Sequence, residues 1–141
     1  MPEEIIETIT PLTEAEQQQK DKEDAMWAEI WEKAAALSKN LGYKVFPIVV
    51  QSVEEEGAFV IGYARKPVIV TQCRLIDKSE GSIYGISLEA AASAMEALVI
   101  VSESDPRITD KNGEYYDVYW KGAAYSLKQF MGLAIPVLKK K

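Results

Sequence analysis

The residue types that most often carry out chemistry in proteins are scarce in this chain. Its 141 residues include no histidine and a single cysteine, Cys73. These counts exclude a Ser-His-Asp triad, a Cys-His nucleophile pair, zinc held by histidine and a disulfide within the chain. Because no histidine can activate it, Cys73 is expected to be a small buried apolar residue on a helix face, not a nucleophile.

Carboxylates are the remaining class of catalytic group, and they fall in predicted loops. Glu54, Glu55 and Glu56 precede Gly57 at a predicted hairpin tip, where neighbouring side chains point outward into water. A metal-dependent hydrolase would need carboxylates that nothing in the sequence places together: Asp77, Glu80, Asp105 and Asp110. We therefore expect a protein that is not an enzyme and that has no catalytic, cofactor-binding or metal-binding residues.

The overall charge argues against nucleic acid as a partner. The chain has 22 acidic and 16 basic residues, a net charge of −6, whereas binding to phosphates requires clustered Lys and Arg. The longest mostly apolar stretch, ending at Leu98–Val101, is far shorter than a membrane span. No secretory signal is visible, and one free cysteine is typical of a cytoplasmic protein. We expect neither nucleic acid nor membrane as a partner.

The negative charge is concentrated at the start of the chain. Residues 1–33 contain ten acidic and three basic residues, a net charge of −7, and residues 34–141 sum to +1. Thr13 and Glu16 have the spacing of a capping box, which predicts a helix start. Almost nothing is apolar from there to Ala25. We expect residues 1–25 to be an acidic arm, partly helical or flexible, and residues 26–141 to form a single α+β domain.

An amphipathic helix is predicted after this arm, and it ends near Gly42. Apolar residues recur every three or four positions: Trp27, Ile30, Trp31, Ala34 and Leu37. We interpret the two tryptophans as core residues. The alternative is a partner-binding surface, because tryptophan is enriched at interface hot spots and acidic residues would steer the arm toward a basic partner. The residues of this hypothesis are Glu14, Glu16, Glu23, Asp24, Trp27 and Trp31.

A β-hairpin is predicted next. Residues 44–53 and 58–64 are rich in β-branched and aromatic residues, and the link between them contains Gly57. Pro47 cannot donate a ladder hydrogen bond, so the first strand should lie at an edge or be bulged there. A lone hairpin is marginally stable, so one of its faces must be covered by helices.

Helices are predicted for most of the remaining chain. Residues 68–77 fit a strand or a helix, and we favour a helix with Ile69, Cys73 and Ile76 on one face. Ser87 is expected to cap a helix that continues to about Val101.

A polar link over residues 102–113 should contain a turn, and a final helix is predicted over residues 114–135. The buried side of this helix is marked by Tyr116, Tyr119, Trp120, Ala123, Leu127, Phe130, Met131 and Ala134.

The predicted fold class is α+β: a long N-terminal helix, a β-hairpin, then three helices packed as one small domain. The predicted hydrophobic core comprises Trp27, Ile30, Trp31, Phe46, Ile48, Val50, Phe59, Ile61, Met95, Leu98, Trp120, Leu127 and Met131.

A family resemblance rests on the second strand and the segments that follow it. Residues 59–67, FVIGYARKP, have the form of a strand motif with Gly-Tyr-x-Arg/Lys-x-Pro. The link Ser104-Asp105-Pro106-Arg107-Ile108, the helix start Tyr115-Tyr116-Asp117 and a lysine-rich end follow in order. This order resembles small proteins from the structural gene blocks of tailed bacteriophages, including tail-assembly chaperone-like proteins. The resemblance covers residues 44–141 and leaves the acidic segment outside it.

This resemblance implies a non-enzymatic bacteriophage assembly or virion protein that binds other phage structural proteins. A tail-assembly chaperone with an aggregation-prone client and a component that stays in the virion fit the residues equally well. Both would be found in the host cytoplasm during assembly. The alternative is a host-directed phage factor or inhibitor that acts through its acidic surface. A homo-oligomer is also among the expected assemblies.

Overall fold

The computed structural model describes residues 11–79 and 86–131. The chain divides into two compact units, Met1–Lys33 and Ala34–Lys141. The first helix, α1 (Glu14–Leu41), continues through this boundary. The predicted boundary after residue 25 stays a prediction.

The predicted α+β class is confirmed, with a long N-terminal helix, an antiparallel hairpin and then further helices. After α1 come β1 (Val45–Gln51), β2 (Phe59–Arg65), α2 (Ile69–Lys78), α3 (Leu88–Leu98), α4 (Pro106–Thr109) and α5 (Tyr116–Lys128). Single turns of 3₁₀-helix occur at Val101–Glu103 and Gln129–Met131.

Local signals set both ends of α1. The Thr13 hydroxyl accepts a hydrogen bond from the Glu16 backbone N–H and donates one to Glu16 Oε1, both at 3.1 Å. This satisfies one of the four donors that a helix start leaves without a partner. At the other end Gly42 has a φ of 78°, a conformation that glycine adopts at little cost, and its N–H donates to the Ser38 carbonyl. Both predicted ends are confirmed.

The hairpin pairs antiparallel from Val45 opposite Arg65 to Gln51 opposite Phe59, and Gly57 supplies a φ of 77° in its loop. Backbone bonds join Ser52 to Ala58 and Lys44 to Lys66 at the two ends of the ladder. Even-numbered residues of β1 therefore bond to β2, and odd-numbered residues direct their N–H groups outward. Pro47 is one of the odd-numbered residues, so its missing N–H costs no ladder bond, and its predicted edge position is confirmed.

Side-chain hydroxyls meet two outward N–H groups of β1 and that of Val53 just beyond the strand. The Val45 N–H donates to Ser38 Oγ (2.9 Å), the Val49 N–H to Ser126 Oγ (3.4 Å) and the Val53 N–H to Tyr119 Oη (3.1 Å). An edge strand whose donors already have partners is a poor template for another strand. The occupied donors of Val45 and Val49 therefore make β1 a poorer template for a partner strand.

The segment after α3 covers the other edge, that of β2. Ser104 is 8% exposed, and its Oγ accepts a hydrogen bond from Tyr63 N–H at 3.0 Å and donates to the Ile100 carbonyl at 2.7 Å. A Cβ atom at Gly62 would lie 3.0 Å from Ile108 Cδ1 and 3.1 Å from Ser104 Oγ. Glycine therefore permits this close packing. The predicted link over residues 102–113 contains the expected turn, where the Gly113 N–H donates to the Asp110 carbonyl at 3.0 Å. It also contains α4 and part of a 3₁₀ turn, which the sequence did not predict.

The core of the unit Ala34–Lys141 lies between the hairpin and the helices, mainly α3 and α5. Six of its predicted members are confirmed as buried: Phe46, Ile48, Met95, Leu98, Leu127 and Met131. Val50 packs against this core as a partly buried residue, and Phe46 stacks on Phe130 with ring centroids 4.5 Å apart. In the unit Met1–Lys33, Ile30 is buried as predicted.

In the unit Ala34–Lys141 two parts of the predicted core were wrong. On β2 the buried residues include Val60 and Ala64, whereas Phe59 and Ile61 are half-buried, because alternate residues point to opposite faces of a strand. On α5 Tyr119 is buried and its neighbour Trp120 is only half-buried at the margin of the core. Adjacent helix residues point about 100° apart, and at this pair Tyr119 takes the position that faces the core.

The ambiguous segment 68–77 is helical, as favoured, but α2 buries a different face from the predicted one. Leu75 is buried and Ile76 packs against the core, while Ile69 and Cys73 are exposed. The helix is covered near its C-terminal end and its first turn is exposed. The prediction that Cys73 is buried was therefore wrong.

Helices α3 and α5 keep their predicted identities with shorter bounds. Ser87 Oγ accepts the Ala90 N–H at 3.1 Å, which confirms the cap of α3. Within the described residues α5 ends at Lys128 and one 3₁₀ turn follows it. The rest of the predicted final helix, including Ala134, lies outside the described residues, as do the lysine-rich end and Glu80.

Candidate functional site

The predicted partner-binding residues lie along α1. Trp27 and Trp31 are 40% and 44% exposed, so their interpretation as core residues was wrong. A tryptophan ring is large, and a helix position beside a buried residue such as Ile30 leaves much of it in solvent. The alternative, an exposed aromatic surface, is the one that the geometry permits.

Helical spacing brings most of the predicted set to one side of α1. Glu23, Trp27 and Trp31 follow one another at intervals of four residues, and such residues are neighbours on a helix surface. Asp24 precedes Trp27 by three residues and shares that side. We call the side of α1 formed by Glu16, Glu23, Asp24, Trp27 and Trp31 the acidic-aromatic face.

The two remaining acidic positions differ in their placement. At about 100° per residue Glu16 lies in line with Trp27 three turns away, whereas Glu14 points roughly 140° away from it. Glu14 is therefore not part of the acidic-aromatic face. Lys20 also lies along this face, and the Gln19 side chain donates a hydrogen bond to Glu23 Oε1 at 3.3 Å.

A second surface, on the other unit, was missed from the sequence. An open depression of about 430 Å³ lies where the end of β2 leads into α2. We call it the basic-apolar patch, and its lining residues are Tyr43, Lys44, Arg65, Lys66, Pro67, Val68, Ile69 and Val70. This lining contains three cationic side chains and no acidic one.

Three consecutive apolar residues of this patch lie in solvent. Val68, Ile69 and Val70 are 64%, 75% and 60% exposed, which is unusual for a contiguous run of β-branched residues. The sequence held one signal for this exposure. Three successive residues at a helix start cannot all face the core, because each turns about 100° from the last.

Hairpin register assembles the cationic part of the patch. Val45 pairs with Arg65, and Lys66 N–H donates to the Lys44 carbonyl at 2.8 Å, so cations from both strands meet at the open end of the hairpin. The Arg65 guanidinium lies 4.5 Å from the centre of the Tyr43 ring, a cation–π arrangement. Long-range pairing of this kind is not visible in sequence spacing.

A polar cluster around Tyr119 was also missed. Tyr119 Oη donates to Glu54 Oε1 at 2.8 Å and accepts from Val53 N–H at 3.1 Å, and it lies 3.3 Å from Ser52 Oγ. Arg107 Nη1 is 3.7 Å from the same Glu54 oxygen. The prediction that all three loop glutamates are simply solvated was wrong for Glu54, which ties the hairpin loop to α5.

The Asp105 carboxylate makes a capping interaction. Asp105 Oδ1 accepts the Arg107 N–H at 2.9 Å at the start of α4, and its carboxylate accepts two further bonds from the Arg107 guanidinium. These bonds hold the pKa of Asp105 below its ordinary value, although partial burial opposes them. The polar groups of this cluster satisfy one another's hydrogen bonds, which is what a structural role requires.

The carboxylates considered for a hydrolase are not assembled in the described part of the chain. Across residues 11–79 and 86–131, no group of three or more His, Cys, Asp or Glu residues could hold a metal ion. Of that set, Glu80 lies outside the described residues. The acidic-aromatic face and the basic-apolar patch are therefore the surfaces whose geometry can support a functional proposal.

Comparison of the chain with protein-family models, curated proteins and solved structures found no match. Among the helices that the structure describes, none is long and apolar enough to cross a membrane.

Proposed function

We propose that this chain is a non-enzymatic binding protein that docks on a basic surface of another protein through its acidic-aromatic face. The observation that carries the proposal is the exposure of Trp27 and Trp31, at 40% and 44%. Large aromatic side chains held on a helix in solvent are the usual anchors of protein interfaces. A helix that lays such anchors into a groove is a recurring mode of recognition.

The charge of the first unit favours a basic partner. Residues 1–33 have a net charge of −7, and Glu23 and Asp24 lie one turn from Trp27. Carboxylates beside an aromatic anchor accelerate encounter with a positive surface and oppose acidic partners by repulsion. The tryptophans would then supply most of the affinity, and the acids would supply association rate and selectivity.

The biological setting that we propose is bacteriophage assembly, with other phage structural proteins as partners. Its support is the resemblance carried by residues 59–67 and 104–108. In the fold these two segments pack together at Gly62, Ser104 and Ile108, so the shared motifs describe a single structural unit. A tail-assembly chaperone and a resident virion component remain the two forms of this proposal.

A host-directed factor is the second candidate, and the concentration of seven net negative charges in residues 1–33 favours it. An acidic decoy would bind a host protein whose natural ligand is anionic. Its complex should weaken strongly as ionic strength rises, because exposed charge pairs are screened within about 10 Å at 0.1 M salt.

The test is a binding measurement with the full chain and purified proteins encoded by neighbouring genes. We expect the W27A/W31A variant to bind its partner at least about tenfold more weakly, because hot-spot truncations commonly cost about 2 kcal/mol or more. The matched control is Tyr125→Ala, which removes an aromatic ring that is 55% exposed on α5. Circular dichroism verifies that α1 remains helical in each variant.

Equal binding by wild type and W27A/W31A would refute the proposed docking face. Binding only to a host protein would favour the host-directed candidate over the assembly role. Measuring the chain in purified particles separates the two assembly forms: a fixed stoichiometric amount indicates a virion component, and absence indicates a transient chaperone.

A further inference from the structure

We infer that the basic-apolar patch is a docking site for the acidic-aromatic face of a second copy of this chain. The inference rests on the proposed function for the acidic-aromatic face. It adds a second surface, on the unit Ala34–Lys141, and it specifies one partner. The contact joins two different surfaces, so repetition from copy to copy would build a ring or an open chain.

The apolar part of the patch is suited to an aromatic anchor. Val68, Ile69 and Val70 each expose 60% or more of their surface in the opening turn of α2 and the residue before it. Covering them with an indole ring would remove apolar area from water on both sides, at about 25 cal/mol per Å². Pro67 forms a buried rigid border beside them.

The geometry of the patch is already held in place before any partner binds. The Gln72 side chain donates to the Pro67 carbonyl at 2.9 Å, which fixes the connection between β2 and α2. Arg65 lies over Tyr43, and Lys66 is bonded through its backbone to Lys44. A preformed surface loses less conformational entropy on binding, so more of the contact energy appears as affinity.

The charges of the two surfaces are complementary. The patch presents three cations, and the first turn of α2 adds the positive end of a helix dipole. The acidic-aromatic face presents Glu16, Glu23 and Asp24 together with its tryptophans, and the chain divides its charge into −7 for residues 1–33 and +1 for residues 34–141. Each surface therefore carries both the charge and the apolar groups that the other needs.

Two charge-reversal variants test the contact. E23K/D24K alters the acidic-aromatic face, and K44E/R65E/K66E alters the patch. We expect sedimentation velocity to detect wild-type assemblies at low salt over about 1 µM to 1 mM, the range for a small interface, and to show their loss at high salt. Each variant alone should remain monomeric, whereas an equimolar mixture should associate, because each supplies the surface that the other lacks.

A control variant separates the patch from net charge. K78E/K111E/K121E makes the same change in net charge as the patch variant, at lysines that do not line the patch, and should associate as wild type does. Loss of association in this control, or a wild type that stays monomeric throughout the concentration range, would overturn the inference. A mixture of the two reversed variants that stays monomeric would overturn it equally.

The chain's one cysteine provides an independent measurement. Cys73 is exposed on α2, one turn beyond Ile69 and Val70, so a bimane dye attached there reports on the patch. When unlabelled wild type is added to labelled W27F/W31F chains, we expect tryptophan quenching of the dye. Unlabelled W27F/W31F should quench far less, and equal quenching by both would refute docking of the tryptophans at the patch.

Three further results would distinguish this inference from a lipid-binding role and from the proposed function. Wild-type binding to phosphatidylserine vesicles that K44E/R65E/K66E loses, with wild type monomeric, would assign the patch to a lipid surface instead. If the patch variant still binds the neighbouring-gene protein while no copy associates with another, this inference fails and the proposed function stands. If W27A/W31A impairs neither interaction, the proposed function fails as well.

Discussion

Removing the Tyr119 hydroxyl tests the cluster that joins the hairpin loop to α5. Tyr119 is 1% exposed, and Tyr119→Phe deletes its hydrogen bonds to Glu54, Val53 and Ser52 while keeping the ring. A net neutral hydrogen bond contributes about 0.5–1.5 kcal/mol, and one to a charged group about 1.5–3 kcal/mol. Because the Glu54 side chain is 39% exposed, water can replace much of the lost bond there.

We therefore expect Tyr119→Phe to lower the free energy of unfolding by about 1.5 kcal/mol. For a chain of 141 residues this corresponds to a fall in Tm of about 5 °C. Urea unfolding followed by circular dichroism measures the change, with Tyr125→Phe as the control. The Tyr125 ring is 55% exposed, so its variant should change stability by less than about 0.5 kcal/mol.

A double-mutant cycle with Glu54→Gln isolates the central bond. Since Tyr119 Oη and Glu54 Oε1 are 2.8 Å apart, we expect a coupling energy of at least about 0.5 kcal/mol. Strictly additive effects, or a Tyr119→Phe change no larger than that of Tyr125→Phe, would refute the assigned network.

Two further predictions concern the segment that covers β2. Gly62→Ala would place a Cβ 3.0 Å from Ile108 Cδ1, and we expect a loss of about 1 kcal/mol in urea unfolding, which Ile108→Val should reduce by removing that methyl group. Because the folded pKa of Asp105 is lowered, its contribution to stability is present above its unfolded pKa, about 3.9, and is lost as the pH falls through the folded value. Asp105→Asn keeps a side-chain cap but loses the negative charge, so we expect it to be less stable than wild type at pH 7. This difference should shrink as the pH falls through the folded pKa of Asp105, and a difference that does not change with pH would contradict this cause.

Much of the backbone could be predicted because its signals are local. The Thr13–Glu16 cap, the left-handed Gly42 and the Ser87 cap each join residues at most four positions apart. Such interactions form in the same way whatever surrounds the element. The hairpin could be predicted equally well, since two β-branched segments flank a short polar loop with Gly57.

Side-chain burial was harder to predict from the sequence, because it depends on which distant element covers a given face. Phe59 and Val60 are both apolar neighbours, and only the packing of the Ser104–Ile108 segment and the helices decides which one is buried. The same reason explains Cys73. Helical periodicity allowed it on a buried face, but the core covers α2 near Leu75 and leaves Cys73 exposed.

The sequence by itself determined the charge division of this protein, −7 in residues 1–33 and +1 in the rest, and it excluded chemistry that needs histidine. It also placed Glu23, Trp27 and Trp31 on one side of a helix, because that requires only helical spacing. The tertiary structure decided that the tryptophans are exposed and that Lys44 and Lys66 meet beside Val68–Val70. Strand register and packing bring together residues that are distant in sequence, and no local pattern specifies which surfaces they leave in solvent.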